Sequence, residues 1–192
     1  MDMDTPSPLP RPELARRLRG LARAVRALAL LGALGLVALP PWIALGSGSS
    51  LEPMQGLFGG HLLDMAQGGI TPAVRWRLAL VTVLPVAAAL SALWQLWTLF
   101  GAYRHGDVFG PLPLASLRRF GWAMTVLAAA QPLSTTLASV AASWDNPPGQ
   151  RLVAVMLGSN DYALLMSALV FVALGRVMTE AARQAQEIEA FV

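Results

Sequence analysis

The chain of 192 residues is 55% hydrophobic and 13% charged, and this charged share is about half that of an average soluble protein. Because it contains no cysteine, disulfides, zinc–thiolate centres and cysteine nucleophiles are excluded. All 14 basic side chains are arginine and the net charge is +3. The positions of these arginines decide whether the basic character indicates binding to nucleic acid or to a membrane surface.

The N-terminal part divides into a tail and a helix. Residues 1–12 include four prolines and few apolar side chains, which predicts a disordered tail ahead of a single membrane domain over residues 13–192. From Glu13 to Arg26, apolar residues recur at helical spacing and arginines occupy the other faces. This pattern is typical of a basic amphipathic helix on an anionic membrane surface. A simpler interpretation is a positive flank that only orients the first membrane span.

The first predicted span covers residues 27–45. Pro40 and Pro41 lie near its end, where the missing N–H donors predict a kink or an early stop of the helix. Trp42 would then lie at the membrane interface, as tryptophans prefer. The alternative is a cleaved signal peptide, because a basic segment precedes the apolar stretch and small residues follow it.

Two longer runs, residues 78–102 and 120–142, are free of charge and flank a short arginine-bearing loop. Each exceeds the ~20 residues that cross a ~30 Å hydrocarbon core. In water such runs would need a much larger core, whereas in lipid each helix satisfies its own backbone hydrogen bonds. The two runs therefore predict a transmembrane helical hairpin.

A fourth, shorter span is predicted at residues 162–178, with Asn160 or Asp161 as its N-cap. An amphipathic helix over residues 179–192 follows it, and the spacing of its charges allows ion pairs. The fold class is therefore an all-α, integral membrane four-helix bundle. The connection of residues 47–77 is either a sensing surface or a plain link between spans.

The arginines predict the orientation of this bundle. With the N-terminus inside, eleven arginines lie in the tail, the central loop and the C-terminal helix, and three lie in the outer loops. This positive-inside bias predicts that both termini are cytoplasmic and explains the basic composition without direct nucleic-acid binding. The outer set is Arg75, Arg77 and Arg151, and the inner set is Arg11, Arg16, Arg17, Arg19, Arg23, Arg26, Arg104, Arg118, Arg119, Arg176 and Arg183.

Polar side chains within the spans allow two interpretations. Ser91 and Gln95 lie on one face of the second span, and Gln131 and Thr135 lie on one face of the third. Such side chains hydrogen-bond neighbouring helices in lipid, and they are also the residue types that line a small-molecule or ion pathway. Packing is favoured because no ionisable residue lies deep in any predicted span.

The signals for catalysis and cofactor binding are absent from the sequence. The predicted topology places His61 and His105 on opposite sides of the membrane, and the pair His61 and Asp64 supplies too few ligands for a metal site. The sequence contains no phosphate-binding loop, nucleophile elbow or His-Glu-x-x-His motif. We therefore expect no metal, no cofactor and no enzymatic activity.

Two short patterns resemble a known family. The first is Tyr103-Arg104-His105-Gly106-Asp107-Val108-Phe109 followed by Leu117-Arg118-Arg119, and the second is the ending from Gly175 to Val192. Together they resemble a family of small bacterial four-helix membrane proteins known as domain of unknown function 2975, with a likeness over about residues 20–192. Where that family usually has Phe-Thr and then Asn, this chain has Phe109-Gly110-Pro111.

The resemblance implies a bacterial inner-membrane protein with a regulatory partner, since members are commonly encoded beside small helix-turn-helix regulators. The central loop and the C-terminal helix would form the docking surface. A tight turn with an interfacial aromatic anchor explains the loop more simply. The alternatives are the pathway described above, an accessory subunit of a larger complex, and a homo-oligomer. The candidate partner-binding residues are Tyr103, Gly106, Asp107, Phe109, Arg118, Glu180 and Glu187.

Overall fold

The computed structural model describes residues 11–46, 66, 69–104 and 110–189. These form four α-helices: α1 (Arg11–Leu45), α2 (Pro72–Arg104), α3 (Pro111–Ser143) and α4 (Ser159–Glu189). Each helix contains a stretch that is long and apolar enough to cross a membrane. The predicted all-helical fold, with four helices long and apolar enough to span a membrane, is therefore confirmed. The helices have 31 to 35 residues, so at 1.5 Å per residue they are about 46–52 Å long and extend beyond a ~30 Å hydrocarbon core.

Helices α2 and α3 begin at recognisable capping residues. Thr71 precedes Pro72 and its hydroxyl accepts the N–H of Val74 at 3.3 Å. Gly110 precedes Pro111 at the start of α3. Proline suits the first helical position because its missing N–H would have no partner there. The helices therefore begin at these caps, several residues before the charge-free runs start.

Helix α4 begins earlier than the sequence predicts. Its first residue is Ser159, so Gly158 occupies the N-cap position and the prediction of Asn160 or Asp161 is wrong. The Gly158 carbonyl accepts the N–H of Tyr162, and the Asp161 carboxylate accepts the N–H of Gly158 at 2.8 Å. Asp161 therefore acts as the third-position partner of a capping box. At its other end α4 continues without a break through the predicted span into the C-terminal segment.

Helix α1 likewise joins two predicted elements. The amphipathic segment and the first span form one helix that ends at Leu45. Pro40 and Pro41 lie inside this helix, so the early stop that they suggested does not occur. Residues 1–10, 47–65, 67–68, 105–109 and 190–192 lie outside the described part of the chain.

The helices pack in chain order. Extensive contacts join α1 to α2, α2 to α3 and α3 to α4, and no other pair of the described helices packs extensively. The largest buried cluster joins the end of α1, the start of α2 and the end of α3 around Ile43, Leu78 and Ala138. A smaller cluster around Ala92, Phe120 and Ala123 joins α2 and α3 and continues to Phe171 of α4. The array is therefore an open row in which α1 and α4 are the outer members.

Helix α4 is displaced along α3. Gly121 faces Val172 and Gly175 faces Arg118, and this antiparallel register brings Ser159 opposite about residue 134 and Pro111 opposite about residue 182. The last two turns of α3 therefore extend past the start of α4, and the end of α4 extends past the start of α3.

An extended segment, residues 151–158, covers the part of α3 that α4 leaves open. The hydroxyl of Ser143 accepts the N–H of Leu152 at 3.1 Å, and its single hydrogen is shared between the backbone carbonyls of Ser139 at 2.8 Å and Leu152 at 3.0 Å. Ser139 accepts the N–H of Ala154 at 3.0 Å. Hydroxyl groups of α3 thus form the hydrogen bonds that the backbone of this segment would otherwise make with a neighbouring strand. We call residues 151–158 the strap.

Candidate functional site

Contacts between successive helices define one end of the row. Arg26 of α1 lies over Trp97 of α2, with 3.8 Å between the guanidinium carbon and the ring centroid. One residue further on, the hydroxyls of Thr98 and Ser116 are hydrogen-bonded at 3.1 Å and join α2 to α3. Arg118 of α3 in turn contacts Gly175 of α4. These contacts lie at one level, which we call the arginine-rich end.

Two glycines bring α3 and α4 close together near this end. A Cβ added at Gly121 would lie 3.0 Å from the backbone nitrogen of Val172 and 3.1 Å from the backbone carbon of Phe171. A Cβ at Gly175 would lie 3.3 Å from the Cα of Arg118. Small residues of this kind let helix backbones approach closely in membranes. Beside them, the rings of Phe120 and Phe171 pack edge to face with centroids 4.9 Å apart.

The surface at the arginine-rich end is basic. Arg118, Arg119 and Arg176 are all exposed where α3 begins and α4 leaves it. Beyond them, the predicted ion pair on the C-terminal segment is present between Glu180 and Arg183, whose charged atoms are 2.7 Å apart. Both partners are more than half exposed, so this pair contributes at most about 1 kcal/mol to stability.

The remaining partner-binding candidates are only partly placed. Tyr103 lies in the last turn of α2, where its ring packs edge to face against Phe100 at 5.5 Å between centroids. Glu187 lies in the last turns of α4. Gly106, Asp107 and Phe109 lie outside the described residues, between the end of α2 and the start of α3. Tyr103, Arg118 and Glu180 thus share one end of the row, and the loop candidates stay a prediction.

The predicted intramembrane polar residues do not converge on one space. Ser91 is exposed and donates to the Ala88 carbonyl of its own helix at 2.8 Å. The backbone carbonyl of Gln95 accepts a hydrogen bond from the Thr98 hydroxyl. The Thr135 hydroxyl donates to the backbone carbonyl of Pro132 at 2.9 Å. Gln131 alone among the four lines a cavity between α1, α2 and α3.

This cavity is small and only weakly polar. It measures about 150 Å³ and is lined by Leu36 and Leu39 of α1, together with residues of α2 and α3. The polar members of its lining are Thr82, Gln131 and Ser134. Thr82 already donates to the Ala79 carbonyl at 2.7 Å, which leaves the other two side chains to meet a solute.

Sequence reasoning missed the residues that join the helices. Gly121 and Gly175 gave no signal, because a glycine within a helix does not reveal which neighbour approaches it. Ser116 and Ser143 occupy positions that the apolar pattern treats as flanks of the third span, whereas Ser139 lies on the polar face of Gln131 that the sequence indicated. Hydroxyl residues within an apolar run were the available signal, since their side chains need partners in lipid.

The described residues contain no group of three or more side chains that could hold a metal ion. The candidate metal ligands of the sequence, His61, Asp64 and His105, lie outside those residues. At the arginine-rich end the described geometry is a basic, exposed surface formed by Arg118, Arg119 and Arg176.

Comparison with known proteins gives one match. No curated protein and no solved structure matches the chain. The family described as "Protein of unknown function (DUF2975)" matches residues 64–192, a range that includes α2, α3, the strap and α4 and leaves out α1. Because this range covers more than half of the sequence, the chain belongs to the DUF2975 family.

Proposed function

We propose that this protein is a non-enzymatic, multi-pass protein of the bacterial inner membrane that binds a cytoplasmic regulator of the helix-turn-helix class. The arginine-rich end is its cytoplasmic end, and both termini are cytoplasmic. The displacement of α4 along α3 carries the proposal, because it makes α4 extend past Pro111 at this end, where no other described helix packs extensively against its last turns.

The base of this extension supplies a charged surface. Arg118, Arg119 and Arg176 are exposed there, while Val177, with 64% of its surface accessible, adds an apolar contact. A partner that presents acidic side chains around an apolar centre complements this surface in charge and chemistry. The resemblance of Tyr103 to Phe109 and of the C-terminal segment to the family's motifs supports the same two elements as the docking surface.

Direct binding of the two purified proteins tests the proposal. The regulator encoded nearest to this gene is titrated against the membrane protein in nanodiscs, as wild type and as Arg118→Glu with Arg119→Glu. We expect the double variant to weaken binding at least tenfold, because it reverses two charges at the base of α4. Arg75→Glu with Arg151→Glu is the matched control, since it reverses two arginines at the opposite end. Equal binding by both double variants would refute the surface.

The orientation is tested separately with reporter fusions. A periplasm-dependent phosphatase fused after Val192 should be inactive, and the same enzyme inserted after Gly149 should be active. Activity of the Val192 fusion would place the arginine-rich end outside and contradict a cytoplasmic partner.

The small-molecule pathway is the second candidate, and the cavity between α1, α2 and α3 is the observation that favours it. Its polar lining is Gln131, Ser134 and Thr82, so only one of the four predicted lining residues is retained. Gln131→Leu with Ser134→Ala should abolish solute flux in vesicles if the cavity is part of a pathway. Unchanged flux in a folded double variant would end this candidate.

A further inference from the structure

An apolar groove separates the outer faces of α1 and α2 close to the arginine-rich end. It encloses about 390 Å³, and Trp97 lies at the end nearest the arginines. From there the groove runs along both helices into their membrane-spanning parts. We call it the α1–α2 groove; its main lining residues are Leu30, Ala33, Leu90, Leu93, Trp94 and Trp97.

Arg26 lies at the mouth of this groove. Its guanidinium carbon is 3.8 Å from the centroid of the Trp97 ring, so the cation stacks on the indole. Its Nε is buried and has no hydrogen-bond partner among the described residues. The ion pairs described in the structure involve Arg77 and Arg183, not Arg26. The Arg26 guanidinium is therefore half-buried and has no anionic partner among the described residues.

The order of polar and apolar groups identifies that anion. Leu30 and Ala33 follow Arg26 by four and seven residues, which places them about 6 and 10 Å deeper along α1. A ligand that satisfies both parts carries a negative charge at its head and an apolar chain directly below it. The planar fork of arginine matches the oxygens of a phosphate. Among membrane components, an anionic phospholipid has this combination of groups.

A free phosphate ion and a neutral lipid each explain only half of the site. Inorganic phosphate would not fill an apolar groove whose lining is aliphatic and indole. A zwitterionic lipid such as phosphatidylcholine offers Arg26 the same phosphate, but it also places its choline cation beside the guanidinium. We propose that the α1–α2 groove binds an acyl chain of an anionic phospholipid whose phosphate is held by Arg26. This site is separate from the protein-docking surface on α3 and α4.

Native mass spectrometry of the delipidated protein tests this site. Phosphatidylglycerol and phosphatidylcholine with the same acyl chains are titrated separately, and the first binding constant is measured for each. The wild type should bind phosphatidylglycerol more tightly. Arg26→Gln should weaken phosphatidylglycerol binding about fivefold, the fold-change that corresponds to about 1 kcal/mol for one arginine near a membrane surface. Its phosphatidylcholine binding should change less, because in the wild type the choline cation offsets the attraction between Arg26 and the phosphate.

The chain offers a matched control and an independent second variant. Arg151 also faces a tryptophan, with 5.5 Å from its guanidinium carbon to the Trp144 ring, but it lies at the opposite end, so Arg151→Gln should bind both lipids as the wild type does. Ala33→Phe leaves Arg26 in place and fills the groove, so it should weaken both lipids. Thermal unfolding followed by circular dichroism verifies that each variant is folded.

Three results would overturn the inference. The first is equal phosphatidylglycerol binding by the wild type and Arg26→Gln. The second is unaltered lipid binding by Ala33→Phe. The third is displacement of the lipid by glycerophosphoglycerol, the headgroup without chains, at comparable concentration, which would make Arg26 a site for a free anion. Failure of these tests leaves the protein-docking proposal unaffected, because Arg26 is not part of that surface.

Discussion

The contact between Gly121 and α4 makes the most quantitative prediction about the fold. In Gly121→Ala, the new Cβ would lie 3.0 Å from both the backbone nitrogen and a methyl carbon of Val172. Backbone atoms cannot rotate away, so α3 and α4 must separate by a few tenths of an ångström. Overpacking of this kind costs about 1–3 kcal/mol. The exchange of glycine for alanine in a helix offsets part of this by up to ~1 kcal/mol.

Gly35→Ala isolates the packing contribution. Gly35 lies within α1, is exposed, and has no atom within 4 Å of an added Cβ, so this variant carries only the helix-propensity gain. The free energy of unfolding is measured for both variants by titrating mixed micelles with SDS and following the loss of helical circular dichroism. We expect Gly121→Ala to be about 1–3 kcal/mol less stable than Gly35→Ala. Equal stability of the two variants would refute the close approach of α3 and α4.

Two further predictions concern hydroxyl groups that join elements. A double-mutant cycle with Thr98→Val and Ser116→Ala measures the hydrogen bond between α2 and α3. The coupling free energy should be about 0.6 kcal/mol and no more than ~1.7 kcal/mol. A coupling free energy of zero would contradict the bond. Ser143→Ala should release the strap, because the loss of the hydrogen bond accepted from the Leu152 N–H, worth about 1 kcal/mol, raises the population of the open form about fivefold. Tryptic cleavage after Arg151 should accelerate by that factor. The control Ser167→Ala loses only a hydrogen bond within α4, so its cleavage rate should equal that of the wild type. An unchanged rate for Ser143→Ala would show that the strap is held by other contacts.

The four membrane-spanning helices could be predicted because a charge-free run reports directly on membrane thickness. Their ends could not, because the apolar run marks the part of a helix in lipid and not the helix itself. Helix α3 illustrates this: its apolar run begins at Phe120, whereas the helix begins at Pro111 after the cap at Gly110. At the opposite end of the molecule, Arg77 looked like a loop residue but lies in α2 and pairs with Asp145 at 2.9 Å.

The arrangement of the site was harder to predict than the helices. The ion pair between Glu180 and Arg183 follows from spacing within one helix and is present. The displacement of α4 depends on which side chains of α3 it meets, and no periodicity in either helix contains that information. The same holds for the cavity, where Gln131 faces inward but Ser91 does not. Contacts within an element could be read from the sequence, whereas contacts between elements could not.

Contact between α4 and the regulator in living cells is the most direct measurement of the proposed function. A photo-crosslinking amino acid is introduced at position 183, on the part of α4 that extends past α3, and, as a control, at position 151 on the strap. We expect irradiation to link the helix-turn-helix protein to position 183 and not to position 151. Absence of this product at position 183, or equal yields at the two positions, would contradict a docking surface at the arginine-rich end.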